Sequence, residues 1–151
     1  VGENVKNNGS IFNRIIMEGH TVGNHTYNHL NGWHTENEVY IQNIAECDKN
    51  METNLFRPPY GKMKPSQSSL IKSEKTIVMW DILSGDFDQS ISKEKCLANV
   101  IDNYSPGSVI VFHDNIKAEE KLKFVLPAFL EHLTQNGFVA SNMDCLIHEY
   151  A

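Results

Sequence analysis

The three cysteines, Cys47, Cys96 and Cys145, stand far apart with no C-x-x-C pair. That excludes a zinc knuckle or a dithiol redox motif, and the odd count argues against a disulfide framework. No apolar run approaches the roughly 18 residues of a spanning helix, and no basic start leads into an apolar stretch, so the sequence as given carries neither a transmembrane segment nor a signal peptide. Lys and Arg form no cluster, and a net charge of -6 with a pI near 5.6 excludes a nucleic-acid footprint. Repeats, low-complexity tracts and linkers are lacking too. What remains is one domain over 1–151, long enough to bury about two-thirds of its unfolded surface.

Against these absences stands a concentration of histidine. The stretch from Gly19 to His29 places three histidines in eleven residues, His20, His25 and His29. On a helical turn His25 and His29 would share one face, a metal-ligand spacing; an isolated pair of this kind can equally be two surface histidines. Thr26 follows His25 where a zinc protease needs Glu, which removes that reading.

Along the chain, Val1 to Val5 contain no apolar strand and pass into a helical pattern in which Ile11, Ile15 and Ile16 share a face and Gly19 supplies the cap. Thr21-Val22 predicts a short strand delivering Asn24 and His25. Thr35 and Glu38 have capping-box spacing ahead of a helix over 36–53. Leu55-Phe56 predicts a short strand, and Arg57-Pro58-Pro59-Tyr60-Gly61 a stiff extended loop, or alternatively a polyproline-type ligand. A short helix follows over 66–74, then a strand at 76–80. Ser92 is an N-cap for a helix containing Leu97, Val100 and Ile101. Ser108 to Phe112 is the strongest strand, apolar on both faces, and runs into His113-Asp114. Leu122 to Leu133 follow helical spacing, with Pro127 inside the pattern predicting a kink or a helix start and Gly137 a cap. Phe138 to Ala140 predicts a last strand, and the remainder a tail. The alternation of strands and helices, with doubly buried strands, predicts an α/β fold with a parallel sheet or barrel.

His25, Arg57, Asp86 and His113 each fall just past a strand-like run, the edge on which parallel α/β folds build active sites. Two neutral imidazoles suit Zn²⁺ or a similar divalent ion, which needs a third protein ligand and an open position for catalysis. A separate His113, supported by Asp86, could act as general acid; a structural histidine and a turn carboxylate are the plainer alternatives.

In order along the chain, these segments resemble the polysaccharide deacetylases, the family 4 carbohydrate esterases or NodB homology domain. His25-Thr26-Tyr27-Asn28-His29 fits H-S/T-x-x-H, and Arg57 to Gly61 fits R-x-P-Y-G. Asp86-Phe87 is similar to a D-W pair with Phe for Trp, and Val111-Phe112-His113-Asp114 to L-x-H-D/S with Val for Leu. The resemblance implies a distorted (β/α) barrel and metal-dependent removal of acetyl groups from N-acetylated carbohydrate. It implies His25 and His29 as ligands of a divalent metal, usually zinc, and Arg57 as the group orienting the base. Tyr60 would lend its backbone N–H to the oxyanion, and His113 would be the acid, tuned by Asp86. A secreted or cell-envelope location is implied as well.

The family's opening T-F-D-D-G motif, which carries the base and the third metal ligand, has no counterpart between Val1 and Ser10. The expectation is therefore a barrel incomplete at its N-terminus, impaired in turnover, with strand edges open to homo-oligomerisation. Against a deacetylase that has lost this segment stand two alternatives. One is a non-catalytic remnant that binds carbohydrate or is only structural; the other is a two-histidine metal binder.

Overall fold

Val1 to Glu3 hold a loop rather than begin a strand. The computed structural model describes residues 1–143, divided into two compact units, Val1–Met79 and the part from Trp80 onward. In the first unit, helices α1 (Gly2–Asn7) and α2 (Gly9–Met17) are separated by Asn8, whose backbone is non-helical at φ -130° and ψ 46°. The N–H groups of Gly2 and Glu3 donate to the carbonyls of Thr26 and Tyr27, both at 3.0 Å. Only glycine fits at position 2, because a Cβ there would lie 2.7 Å from Cδ2 of Tyr27. The apolar face of α2 carrying Ile11, Ile15 and Ile16 is exposed.

The strand expected at Thr21-Val22 does not form. Its carbonyl at Val22 takes the Thr53 hydroxyl at 2.8 Å instead of a backbone partner, and pairing is confined to one parallel bridge, Asn24 with Phe56. Helix α3 spans Asn37–Asp48, shorter than the expected 36–53. Asn50 donates its side-chain amide to the Glu46 carbonyl, a local bond that competes with further helix. The expected capping box is also absent, since the Thr35 hydroxyl donates to the Asn31 carbonyl at 2.8 Å and Glu36 is the N-cap without a side-chain bond.

Strand β1 (Leu55–Phe56) pairs in parallel with β2 (Thr76–Ile77), and α4 (Pro65–Ile71) lies between them in sequence, forming a βαβ unit. Tyr40, Ile44, Phe56 and Ile71 form the core of this unit. The expected strand at 76–80 stops early because the carbonyls of Val78 and Met79 are taken by the Arg57 guanidinium.

The second unit repeats the scheme. Strand β3 (Ile82–Leu83) pairs in parallel with β4 (Ile110–Val111), and α5 (Lys93–Ile101) lies between them in sequence, with α6 (Glu119–Gln135) following. Ser92 caps α5 as expected, accepting from the Lys95 N–H. Helix α6 runs through Pro127 rather than starting at it: Val125, Phe129 and Leu133 anchor both sides of the proline in a core with Ile82, Cys96 and Val100. Gly137 takes φ +76° just past that helix.

The expected strand at 108–112 is reduced to Ile110–Val111, partly because the Val109 N–H is bonded to the Asp81 carboxylate at 2.8 Å. Phe138 to Ala140 form no strand, and the expected tail beyond residue 143, with Cys145, lies outside the described residues. Cys47 and Cys96 are free and buried. Among the described residues no helix is long and apolar enough to cross a membrane. The architecture is mixed α/β with parallel strands in both units.

Candidate active site

Asn24 is fully buried and organises the histidine loop of the first unit. Its backbone bridges to β1 in both directions: its N–H donates to Leu55 at 2.8 Å and its carbonyl accepts from Arg57 at 2.9 Å. Its side-chain amide donates to the Ile44 carbonyl and to Asp48, and its oxygen accepts the Thr26 N–H at 2.8 Å. Asp48 is held in turn by the Lys75 ammonium at 2.9 Å, which also donates to the Thr53 carbonyl. From α3, Asn43 clamps the middle of the loop, its side-chain oxygen accepting the N–H groups of Tyr27 and Asn28.

This scaffold overturns one sequence expectation. His25 and His29 do not share a helical turn; they meet across a loop in which Thr26 has φ +61° and His29 φ +58°. A positive φ strains any L-residue and a β-branched one most. The strain at Thr26 is offset by three hydrogen bonds, from its N–H to Asn24, from Leu30 to its hydroxyl and from Gly2 to its carbonyl. Tyr60, at φ +59°, is the third non-glycine residue of this kind among the described residues. All three lie in this cluster, the distribution expected when backbone strain is held for function.

The imidazoles of His25 and His29 have ring centres 5.0 Å apart at 64°. Two imidazoles on one tetrahedral ion, with metal–nitrogen bonds near 2 Å, place their ring centres about 5 Å apart. The His25 Nδ1 lies 2.6 Å from the Arg57 carbonyl, which takes its proton and leaves Nε2 as the ring nitrogen available to a ligand. Burial, reinforced by the neighbouring His29, holds the His25 pKa down at about 4, so the ring is neutral at ordinary pH, the form a metal binds. The donor set thus fits a zinc-type ion in kind. It supplies two ligands, since among the described residues no group of three His, Cys, Asp or Glu gathers to hold a metal.

The loop after β1 completes this cluster. The Arg57 guanidinium is committed to the carbonyls of Val78 and Met79, at 3.1 and 3.2 Å, so it ties the end of β1 to the end of β2. The Tyr60 ring stacks edge-on against His29 at 4.7 Å and is largely exposed.

In the second unit Asp86 and His113 form a separate pair. The carboxylate of Asp86 is fully buried and accepts from the His113 N–H at 2.6 Å and, through its other oxygen, from the Phe87 N–H at 3.0 Å. The oxygen that takes Phe87 also lies 2.8 Å from His113 Nδ1. A buried carboxylate with these partners places the imidazole proton on Nδ1 and leaves Nε2 as the nitrogen that can exchange a proton outward. Phe87, in the position of the expected Trp, packs edge-on against the His113 ring at 4.8 Å.

The structure therefore brings His25, His29, Arg57 and Tyr60 together in one unit and pairs Asp86 with His113 in the other. Sequence reasoning missed the supporting roles of Asn43, Asp48 and Lys75. A polar helix face and a lone lysine give no signal of hydrogen bonds made 16 to 27 residues away.

The polysaccharide deacetylase family model matches residues 1–75. A peptidoglycan-N-acetylglucosamine deacetylase of Bacillus cereus is 32% identical over 120 residues, covering 75% of this chain and 43% of the relative. A chitooligosaccharide deacetylase of Azorhizobium caulinodans is 27% identical over 128 residues, covering 80% of this chain and 60% of the relative. The chain thus spans about half the length of these curated relatives. Among solved structures, a peptidoglycan N-acetylglucosamine deacetylase in complex with 4-naphthalen-1-yl-N-oxidanyl-benzamide superposes with a TM-score of 0.87 at 27% identity, over 95% of this chain and 70% of that one. In its ordered motifs, its sequence relatives and its fold, the chain belongs to the polysaccharide deacetylase family.

Proposed function

We propose that the chain serves the hydrolysis of acetamido groups on N-acetylated carbohydrate, as part of a (β/α) barrel, with a divalent ion of the zinc type held by His25 and His29. The observation that carries this reading is the imidazole pair 5.0 Å apart, in which the neutral His25 ring is oriented by the Arg57 carbonyl at its Nδ1. The named substrates of the relatives, peptidoglycan and chitooligosaccharide, supply the carbohydrate class. When bound, the ion supplies Lewis acidity toward an acyl oxygen and toward water.

The protein's own residues do the rest. Arg57 orients His25 through its carbonyl and braces the loop through its guanidinium. The positive φ of Tyr60 turns the backbone of that loop, and its N–H is the proposed donor to the oxygen that gains charge as the carbonyl is attacked, a type of contact worth a few kcal/mol, roughly 3–4. His113, held through Nδ1 by Asp86, delivers the Nε2 proton to the amine nitrogen as the C–N bond breaks. The general base of the family has no counterpart in residues 1–151, so turnover by this chain is slower than that of a complete site by about 10²–10⁴-fold.

Acetate release from N-acetylated chitooligosaccharide tests the proposal. The chain releases acetate slowly with zinc present, and His113→Ala abolishes release while leaving zinc content intact. Loss of zinc in that variant would sink the acid assignment. Oligosaccharide binding with no acetate released would point instead to a carbohydrate-binding role.

A further inference from the structure

Trp33 is 56% exposed, yet its backbone and its indole are both hydrogen-bonded within the protein. It sits in the single turn Gly32–His34, whose N-cap Asn31 accepts the Trp33 N–H at 3.1 Å. Its indole Nε1–H donates to the Met63 carbonyl at 3.1 Å, and the Lys62 ammonium lies over the ring 5.2 Å from its centre. Beneath it, fully buried Gln67 donates to the carbonyls of Gly32 and Thr35 and accepts from the Lys64 N–H. The two loops are zipped so closely that a Cβ on Gly32 would lie 2.7 Å from the Lys62 carbonyl.

A buried glutamine and a glycine without room for a side chain are thus used to present an indole to solvent. Exposure is not needed to satisfy its one polar atom, which is already bonded inside the protein. Nor does Trp33 belong to the core of its unit, formed by Tyr40, Ile44, Phe56 and Ile71. What it offers outward is more than half of a flat, apolar, electron-rich ring, with the Lys62 ammonium over it.

The place of that face gives it a use. Trp33 lies four residues after His29, no more than about 14 Å along the chain. Its turn is bonded to Lys62 and Met63, which follow directly on Tyr60 and Gly61, and the Tyr60 ring touches His29. Histidine pair, tyrosine and indole therefore sit on two neighbouring, bonded loops of the first unit, within the span of a short oligosaccharide. A pyranose with equatorial substituents presents a face of C–H groups, positive at their edges, which complements the negative face of an indole ring.

We propose that Trp33 is a stacking platform for a sugar ring, a subsite that binds a neighbour of the acetylated residue in a β-1,4-linked N-acetylglucosamine chain, with Lys62 contributing to its hydroxyl contacts. This rests on the carbohydrate reading given above. Because the platform is set apart from the histidines, it acts only on substrates long enough to reach it.

Calorimetric titration of the zinc-loaded chain with N-acetylglucosamine and with chitotetraose tests the proposal. Trp33→Ala is expected to weaken chitotetraose binding about tenfold, as truncation of a contact aromatic does, and to leave the monosaccharide unchanged. Trp33→Phe retains most of the affinity, and thermal melts show both variants folded. Unchanged tetraose affinity in Trp33→Ala would overturn the subsite while leaving the deacetylase reading intact. Equal losses for both sugars would overturn it in favour of a structural role. A wild-type chain that binds neither sugar would overturn the subsite and the carbohydrate reading together.

Discussion

Asp86 grips His113 twice, through the backbone N–H at 2.6 Å and through the imidazole Nδ1 at 2.8 Å. The two bonds fix both the position of the chain after β4 and the tautomer of the ring. In Asp86→Asn both bonds to His113 lose the carboxylate charge, the amide nitrogen cannot accept so that only one of them can persist, and the side chain no longer specifies a proton on Nδ1. Acetate release is expected to fall by about 10²–10⁴-fold while zinc content is unchanged. Kinetics and metal analysis on the same sample check it, and wild-type rates in the variant would sink the role of this pair.

Zinc affinity is expected to depend on the histidine loop alone. Competition with a chromophoric chelator should show weak binding by the wild-type chain, because two protein ligands are gathered. His25→Ala and His29→Ala should each abolish it, with His113→Ala equal to wild type. Stoichiometric zinc retained through dialysis would contradict a two-ligand site.

The depressed pKa of His25 makes a pH prediction for the metal-free protein. Its folded value of about 4 lies below its ordinary 6.5, so between these values the unfolded chain binds more protons. Stability is therefore fully present above about pH 6.5, declines as the pH falls, and levels off below about pH 4 as far as this group is concerned. Allowing for partial solvent access, the loss is on the order of 1–3 kcal/mol. Urea melts across this range should show the slope, and His25→Asn should flatten it.

Asn24 joins α3 to the histidine loop through its side chain and pairs with β1 through its backbone. Asn24→Ala leaves buried groups without partners and is expected to cost about 2–4 kcal/mol in denaturant melts. Lys75→Met should cost less, about 1–2 kcal/mol, because Asp48 keeps its bond to Asn24 and is a third exposed. The two effects should be non-additive in a double mutant, since both act on Asp48.

The motif residues were legible in the sequence because their chemistry is local in kind. His25, His29, the Arg57 to Gly61 loop, Asp86 and His113 are identifiable by residue type and order; Arg57 and His113 follow apolar runs that form β1 and β4, whereas the run ahead of His25 forms no strand and Asp86 follows β3, a strand the sequence pattern does not predict. The parallel pairing of β1 with β2 and of β3 with β4 agrees with the alternating pattern. Helix α5 and its Ser92 cap were legible for the same reason, a short-range hydrogen bond written three residues apart.

Where polar side chains compete for backbone groups, the sequence pattern overshoots. The apolar run at 76–80 reads as a full strand, but the Arg57 guanidinium takes two of its carbonyls. Thr35 and Glu38 have the spacing of a box, but the Thr35 hydroxyl finds the Asn31 carbonyl first.

By itself the sequence determined the candidate residues for the chemistry, the family to which the chain belongs and the α/β alternation that supports them, since residue identity, order and hydrophobic period are properties of the chain. Only the tertiary structure decided that His25 and His29 meet through a strained loop, that Asn43 and the Asn24–Asp48–Lys75 network hold that loop, and that Trp33 is presented outward from a clamped turn. Those outcomes rest on hydrogen bonds between groups far apart in sequence, whose partners are selected by packing and leave no periodic trace in the order of residues.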